Sequence, residues 1–459
     1  MSGIAPELDQ VSDGPRISPT LATLGRHSTS LLWVLLFLSA ILFAYRGFYR
    51  GVRPHLTNDF FSVYSISKAW MAGEAPYSTQ VIVRTFEDAS GYTLGRNTLA
   101  QAASYSALPG MVPLATPFTL LRWRAANSLF VIFSTAILGT MLWRFARRSG
   151  ASRNSVLAFL ICALALGPIH TGLSGSNVTP LLVGLMGISY LLNRDGRWLA
   201  AGILLGVVGC CKPHIAGAMV LVLIVDGEWK TLVAALSSGI ASLGVFVARL
   251  SVAGVPWWSE FLARTRQFGA VGDANDFSPA NPARYELLNL QVILGSITSS
   301  RVVANVVAIA VGVALVAAWW IAVKRSGRSD LLAFATINVV LLLPAYHRFD
   351  DASVLVFLFA AAWLERRDLS VLWVAGVSAL LFALPIPAML VYLVESGRIP
   401  HGLLTARSFQ LTFLSSQIWF LFAASLLLVW GSKMTGEAAP EEFPKATRGC
   451  RSSASPRLS

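Results

Sequence analysis

About twelve apolar runs, each of roughly 11–25 residues, follow one another along most of this chain. They occupy positions 30–45, 126–143, 155–170, 178–192, 198–211, 215–225, 231–252, 302–323, 331–344, 352–364, 370–394 and 409–430. A chain built this way cannot close into a water-soluble globule, because it lacks the polar residues to cover one. Only 13% of its 459 residues are charged and 55% are hydrophobic, against about 25% charged in an ordinary soluble domain. In hydrocarbon every backbone N–H and C=O must be satisfied within the segment, which leaves helices as the fold. The expectation is an all-α polytopic membrane protein with about 10–13 transmembrane helices.

The formal net charge of +13 does not point to nucleic acid, which requires a clustered basic stripe. The basic residues are instead spread between the apolar runs, where they report orientation. One set of short loops carries Arg144, Arg147, Arg148, Arg153, Arg194, Arg197, Lys230, Lys324, Arg325, Arg328, Arg366 and Arg367; the alternate set carries only Lys212 and Arg348. This asymmetry predicts cytoplasmic termini, with residues 1–29 and 431–459 as tails, the latter disordered. Residues 30–430 then form a single membrane domain. Its two long segments, 46–125 and 253–300, face the extracytoplasmic side, and interfacial helices are expected in the first. No cysteine pair stands at metal-ligand or disulfide-framework spacing.

Low charge density makes the exceptions readable. Asp59, in Asn58-Asp59-Phe60-Phe61-Ser62-Val63-Tyr64, is the first acid beyond the first apolar run. It could act as a general base at the membrane surface or simply cap an interfacial helix. Gly73-Glu74-Ala75-Pro76-Tyr77 ends that helix; Tyr77 is an interface anchor, and Glu74 and Tyr64 are weak candidates for substrate contact. Pro109, Pro113 and Pro117 argue against a regular span there. Asn177, in the uncharged turn 173–177, could cap the next helix or bind a ligand. Lys212-Pro213-His214 separates two short apolar runs. A lysine at that depth is costly unless paired or hydrated, and a phosphate would offset the cost; snorkelling is the alternative. Tyr346-His347-Arg348-Phe349-Asp350-Asp351 is the densest polar cluster on the extracytoplasmic face. His347 and Arg348 could hold a phosphate. Asp350 or Asp351 could orient them, bind a divalent metal, or cap a helix. Asn289 and Gln291, in 285–295, could hydrogen-bond sugar hydroxyls.

Four blocks in this order resemble glycosyltransferase family 87, whose members have the GT-C fold. They are Asn58-Asp59-Phe60 through Gly73, Pro76 and Tyr77; Gly175 and Asn177 with Pro180-Leu181-Leu182; the stretch from Arg197 to Pro213; and Tyr346-His347-Arg348. The resemblance implies inverting transfer of a sugar, usually mannose, from a polyprenyl-phosphate donor to a lipid or glycan acceptor in a bacterial plasma membrane. It implies an active site on the extracytoplasmic face, with Asp59 and His347 catalytic and Lys212 and Arg348 on the donor phosphate. Among its implied partners are the donor, the acceptor and membrane lipids; neither a cofactor nor a metal is implied. The sequence departs from the family where Tyr105 is followed by Ser-Ala-Leu-Pro rather than directly by prolines, and where the late turn reads Arg-Phe-Asp-Asp. A transporter or flippase of lipid-linked sugars would show paired broken helices, and only one Lys-Pro break is present. A polysaccharide polymerase or ligase would not need Asp59.

Overall fold

The computed structural model describes residues 19–53, 59–95, 107–273, 275–281, 283–326, 330–365 and 368–434. Asn58, Tyr105, Arg328, Arg366, Arg367, most of the N-terminal tail and nearly all of the C-terminal tail lie outside the described residues. Those described are helical throughout, joined by turns, with a lone bridge between Leu287 and Arg348 as the β pairing among them.

Among the described residues, five helices are long and apolar enough to cross a membrane: Thr29–Val52, Trp123–Arg148, Trp229–Val252, Arg301–Arg325 and Leu369–Glu395. Two bent pairs, Arg153–Ala165 with Gly167–Ser174 (45°) and Arg407–Leu414 with Ser416–Trp430 (54°), bring the number to seven if each pair is one span. The polytopic all-α expectation is met. Several of the remaining apolar runs form shorter helices. Trp198–Cys211, Pro213–Asp226 and Leu331–Leu341 are shorter helices, because a proline, a glycine or a polar turn stops each of them. Pro168 and Pro213 both stand at helix starts, where the missing N–H is harmless and the fixed φ suits the first turn.

The long first loop folds into helices of different character. Thr79–Ser90 is amphipathic and buries Ile82 and Phe86. Asp59–Ala72 is buried almost all round, from Phe60 to Trp70, as expected of a helix that packs on several sides. Its aromatic residues interlock with the second span: Phe60 stacks on Phe130 at 4.2 Å between ring centroids, and Tyr64 meets Trp123 edge-on at 5.3 Å. The proline-rich segment forms a short helix, Met111–Thr119, with Pro117 inside it. This loop is therefore a packed part of the body and holds the start of the Asp59 helix in place.

The short helix Trp198–Cys211 is seated on the span Trp229–Val252 through Gly202 and Gly206, spaced as a small-xxx-small pair that lets backbones approach. A Cβ on Gly202 would sit 2.4 Å from the Ala234 Cβ, and one on Gly206 would sit 2.5 Å from the Ala235 carbonyl oxygen. Gly206→Ala is expected to cost about 1–3 kcal/mol through overpacking. Gly139→Ala, where an added Cβ meets nothing within 4 Å, serves as the control. Thermal melts of both variants in detergent check this; equal midpoints would disprove the close approach.

Candidate active site

Four chain segments, far apart in sequence, meet at one polar cluster. Asp59 starts its helix, and its backbone N–H donates to the Gly175 carbonyl at 2.9 Å, docking the helix start on the 173–178 turn. Ser176 in that turn has φ 48°, a left-handed conformation uncommon for a residue with a side chain. It is held there by its Oγ, which donates to Asn127 Oδ1 at 2.8 Å, while Asn127 Nδ2 donates to the Gly51 carbonyl at 2.9 Å. The strained turn thus aims Asn177. Its Nδ2 donates to Asp59 Oδ2 at 2.6 Å, and its Oδ1 accepts from the Thr179 backbone N–H at 2.8 Å. Asn177 thus holds the start of the following helix, as the capping reading expects, and also orients Asp59, a role the sequence reading did not give it.

The Lys212-Pro213 break supplies the cation. Lys212 Nζ donates to Asp351 Oδ1 at 2.7 Å and to Thr179 Oγ1 at 2.7 Å, and it lies 3.4 Å from Asp350 Oδ2. Here the Asp350–Asp351 pair supplies anionic charge that offsets its burial. Thr179 Oγ1 lies 2.8–3.0 Å from Asn177 Oδ1, Asp350 Oδ2 and Asp351 Oδ1. One hydroxyl has one proton, so it serves one of these acceptors at a time.

The fourth segment is the 346–351 turn, tied to the second long loop by Leu288 N–H donating to the His347 carbonyl at 2.8 Å. Asp351 also accepts from the Arg348 backbone N–H at 3.1 Å, the back-bond of a helix N-terminus. Its carboxyl is held well below the usual range. Burial alone would raise it, but Lys212, His214 and His347 outweigh burial. Asp350 is shifted the other way, upward, by burial and by the nearby Asp351 and Asp59 carboxylates. Two adjacent carboxyls are thereby driven apart in proton affinity.

The His347 ring is 2% exposed. Its Nδ1 lies 3.3 Å from Asp351 Oδ2, and its ring meets His214 edge-on at 4.7 Å. Burial lowers its pKa. The ring is enclosed by Asp351 and His214, an arrangement in which it positions Asp351. His214, Thr179 and Ser176 belong to the site although the sequence reading gave them no role. The Lys-Pro-His triplet and the Asn177-Val178-Thr179 spacing were the available signals. Arg348 differs from Lys212. Its side chain is 29% exposed, its Nη2 lies 3.5 Å from Glu286, and its buried Nε has no partner.

His214, His347 and Asp351 offer ligand atoms within 4.8 Å of one another, a donor set that suits a divalent transition metal. The Lys212 ammonium, 2.7 Å from Asp351, opposes a second cation there by charge. Three expected contacts are not brought to the cluster. The Tyr64 hydroxyl donates to the Leu121 carbonyl at 2.8 Å, the Tyr77 hydroxyl to that of Ala107 at 2.9 Å, and Glu74 pairs with Arg84 at 2.6 Å on the surface. Their hydrogen bonds are spent on local structure. Asn289 and Gln291 line a chamber that Tyr346 of the 346–351 turn also lines.

Comparison with known proteins bears on this arrangement. The family model described as Glycosyltransferase family 87 matches residues 109–345, just over half of the chain. The matched stretch includes Asn177, Thr179, Lys212 and His214, and it ends one residue before Tyr346. An alpha-(1->3)-arabinofuranosyltransferase of Corynebacterium glutamicum is 25% identical over 404 residues, covering 84% of this chain and 87% of that protein. No solved structure matches.

Proposed function

The chain belongs to glycosyltransferase family 87, and from that premise we propose that it moves a sugar from a polyprenyl-phosphate donor to a hydroxyl of a lipid or glycan acceptor on the extracytoplasmic face. The single observation that carries this reading is the placement of Asp59. It is oriented by Asn177 at 2.6 Å and lies within electrostatic reach of Arg348, a guanidinium with an unpartnered N–H. A base and an anion-binding cation on one site are what the reaction needs. Asp59 takes the proton of the acceptor hydroxyl, and the acceptor oxygen attacks the anomeric carbon. The bond from that carbon to the phosphate oxygen breaks with inversion, and Arg348 meets the charge on the leaving polyprenyl phosphate. Stabilising developing charge with a preoriented donor is a large catalytic term.

Lys212, Thr179, His347 and Asp351 position this pair of groups. Lys212 neutralises the buried carboxylates, so the Arg348 side remains the anion-binding side. The resemblance implies mannose as the donor sugar. Arabinofuranose is the second reading, favoured by the relative's activity and the length over which it matches. Plasma-membrane residence with cytoplasmic termini is part of the same proposal and rests on the loop charges.

The test is transfer by the purified protein from polyprenyl-phosphate mannose and polyprenyl-phosphate arabinofuranose to a panel of lipid and glycan acceptors, in excess EDTA. Turnover with one donor and an inverted product is expected, and it should persist with EDTA because Lys212 fills the cationic role beside Asp351. Abolition by EDTA with rescue by a divalent metal would move His214, His347 and Asp351 from positioning to metal binding. Retention of configuration would remove Asp59 from its role as base.

A further inference from the structure

Beside the start of the 346–351 turn lies a chamber of about 180 Å³. Four amide side chains line it, Asn275, Asn289, Gln291 and Asn305, together with Arg301 and the ring of Tyr346. Asn289 and Gln291 are 3% and 5% exposed, and each carries a buried amide oxygen that accepts no hydrogen bond. The Gln291 amide cannot simply turn over to satisfy itself. Its Nε2 already donates to the Pro344 carbonyl at 2.9 Å, which fixes Oε1 as the free end. Buried acceptors left unmade are costly and uncommon, and two of them on one chamber call for a ligand that brings donors.

The chemistry of the lining narrows that ligand. Two carbonyl-type oxygens repel an anion, so a phosphate is disfavoured. The one cation is already engaged: Arg301 Nη2 donates to the Gly269 carbonyl at 2.6 Å and lies 3.4 Å from Asp276. What remains is a neutral, donor-rich molecule, and the aromatic wall suits one with an apolar face. Tyr346 is braced edge-on by Phe268 at 5.2 Å, holding its ring in place. The volume falls below the roughly 300 Å³ lower end of drug-sized sites, enough for one small ring and not for a lipid. Tyr346 also joins the chamber to the active site, for it lies within electrostatic reach of Arg348, Lys212, Asp351 and Asp350.

We propose that this chamber is a subsite for a single neutral sugar ring, whose hydroxyls donate to Asn289 Oδ1 and Gln291 Oε1 while one face rests on Tyr346. The assignment rests on the transferase reading for its biological source, which is either the donor's sugar or the acceptor's terminal sugar. Binding itself can be read without turnover. Saturation-transfer NMR on the full-length protein in nanodiscs, with methyl α-mannopyranoside and methyl α-arabinofuranoside as probes, should show one or both bound. Asn289→Ala and Gln291→Ala should weaken that binding on the order of tenfold. Asn305→Ala, at an exposed helical position, should weaken it without any change in melting temperature. Inorganic phosphate should not compete. Absence of binding to either glycoside, binding unchanged in all three variants, or displacement by phosphate would each overturn the subsite. In the transfer assay, a raised KM for acceptor alone assigns the ring to the acceptor, and a raised KM for donor alone assigns it to the donor. Unchanged KM for both would overturn the proposal while leaving the transferase reading intact. Binding without any turnover would fault that reading and leave the subsite standing.

Discussion

Asp59→Asn is expected to lower kcat for transfer on the order of 10²–10⁴-fold, the range that a positioned general base contributes, with little change in donor or acceptor KM. The substitution is nearly isosteric. The Asn177 Nδ2 that donates to Asp59 Oδ2 at 2.6 Å can donate equally to an amide oxygen, and the backbone bond to Gly175 does not involve the side chain. The helix start therefore stays docked, and what is lost is the negative charge and with it the ability to accept a proton. An effect confined to kcat is the mark of an interaction made in the transition state. If Asp59→Asn retained full activity, Asp59 would be a helix-start residue and no more, as its place at the first turn of Asp59–Ala72 would also allow. Asn177→Ala should give a smaller loss by the same route, because it frees the carboxylate to rotate.

The second large effect is on the fold. Lys212→Met is expected to destabilise the protein by about 3–5 kcal/mol, the cost of removing one partner from a buried ion pair. The lysine side chain is 18% exposed and Asp351 is fully enclosed, so water cannot replace the lost ammonium. Asp351 would keep its bonds from Thr179 and the Arg348 backbone, but its low proton affinity would no longer be supported. Adding Asp351→Asn to Lys212→Met should recover part of the loss, because the second change removes the charge that the first left stranded. A double-mutant cycle on melting temperatures measures this directly. A Lys212→Met protein that melts with the wild type, or a cycle with no coupling, would show that the lysine turns to solvent instead.

Much of the fold was legible because the bilayer reads sequence in a simple way. A run such as 302–323, apolar but for Asn305, has no stable alternative to a spanning helix. The number of crossings was less legible. The runs at 198–211 and 215–225 are as apolar as full spans, and the Lys212-Pro213 break between them and Gly227 after the second make them short. The first loop was read as interfacial from its Phe and Tyr residues, yet Phe60, Phe61 and Tyr64 lie at or below 1% exposure. Aromatic residues serve an interface and a core equally well, and nothing local distinguishes the two.

The site divides along the same line. Asp59, Asn177, Lys212, Arg348, Asp350 and Asp351 could be singled out from the sequence, because a polar side chain between apolar runs is expensive and therefore conspicuous. Their partners could not. Whether the anion beside Lys212 is a ligand or Asp351 depends on where the 212 break and the 351 turn meet in space, 139 residues apart along the chain. His214, Thr179 and the left-handed Ser176 acquire roles only through that meeting. The sequence by itself determined which residues are too polar for their surroundings. The tertiary structure alone decided which of those charges satisfy one another, as Lys212 and Asp351 do. The physical reason is that cost depends on the residue and its depth, whereas pairing depends on distance.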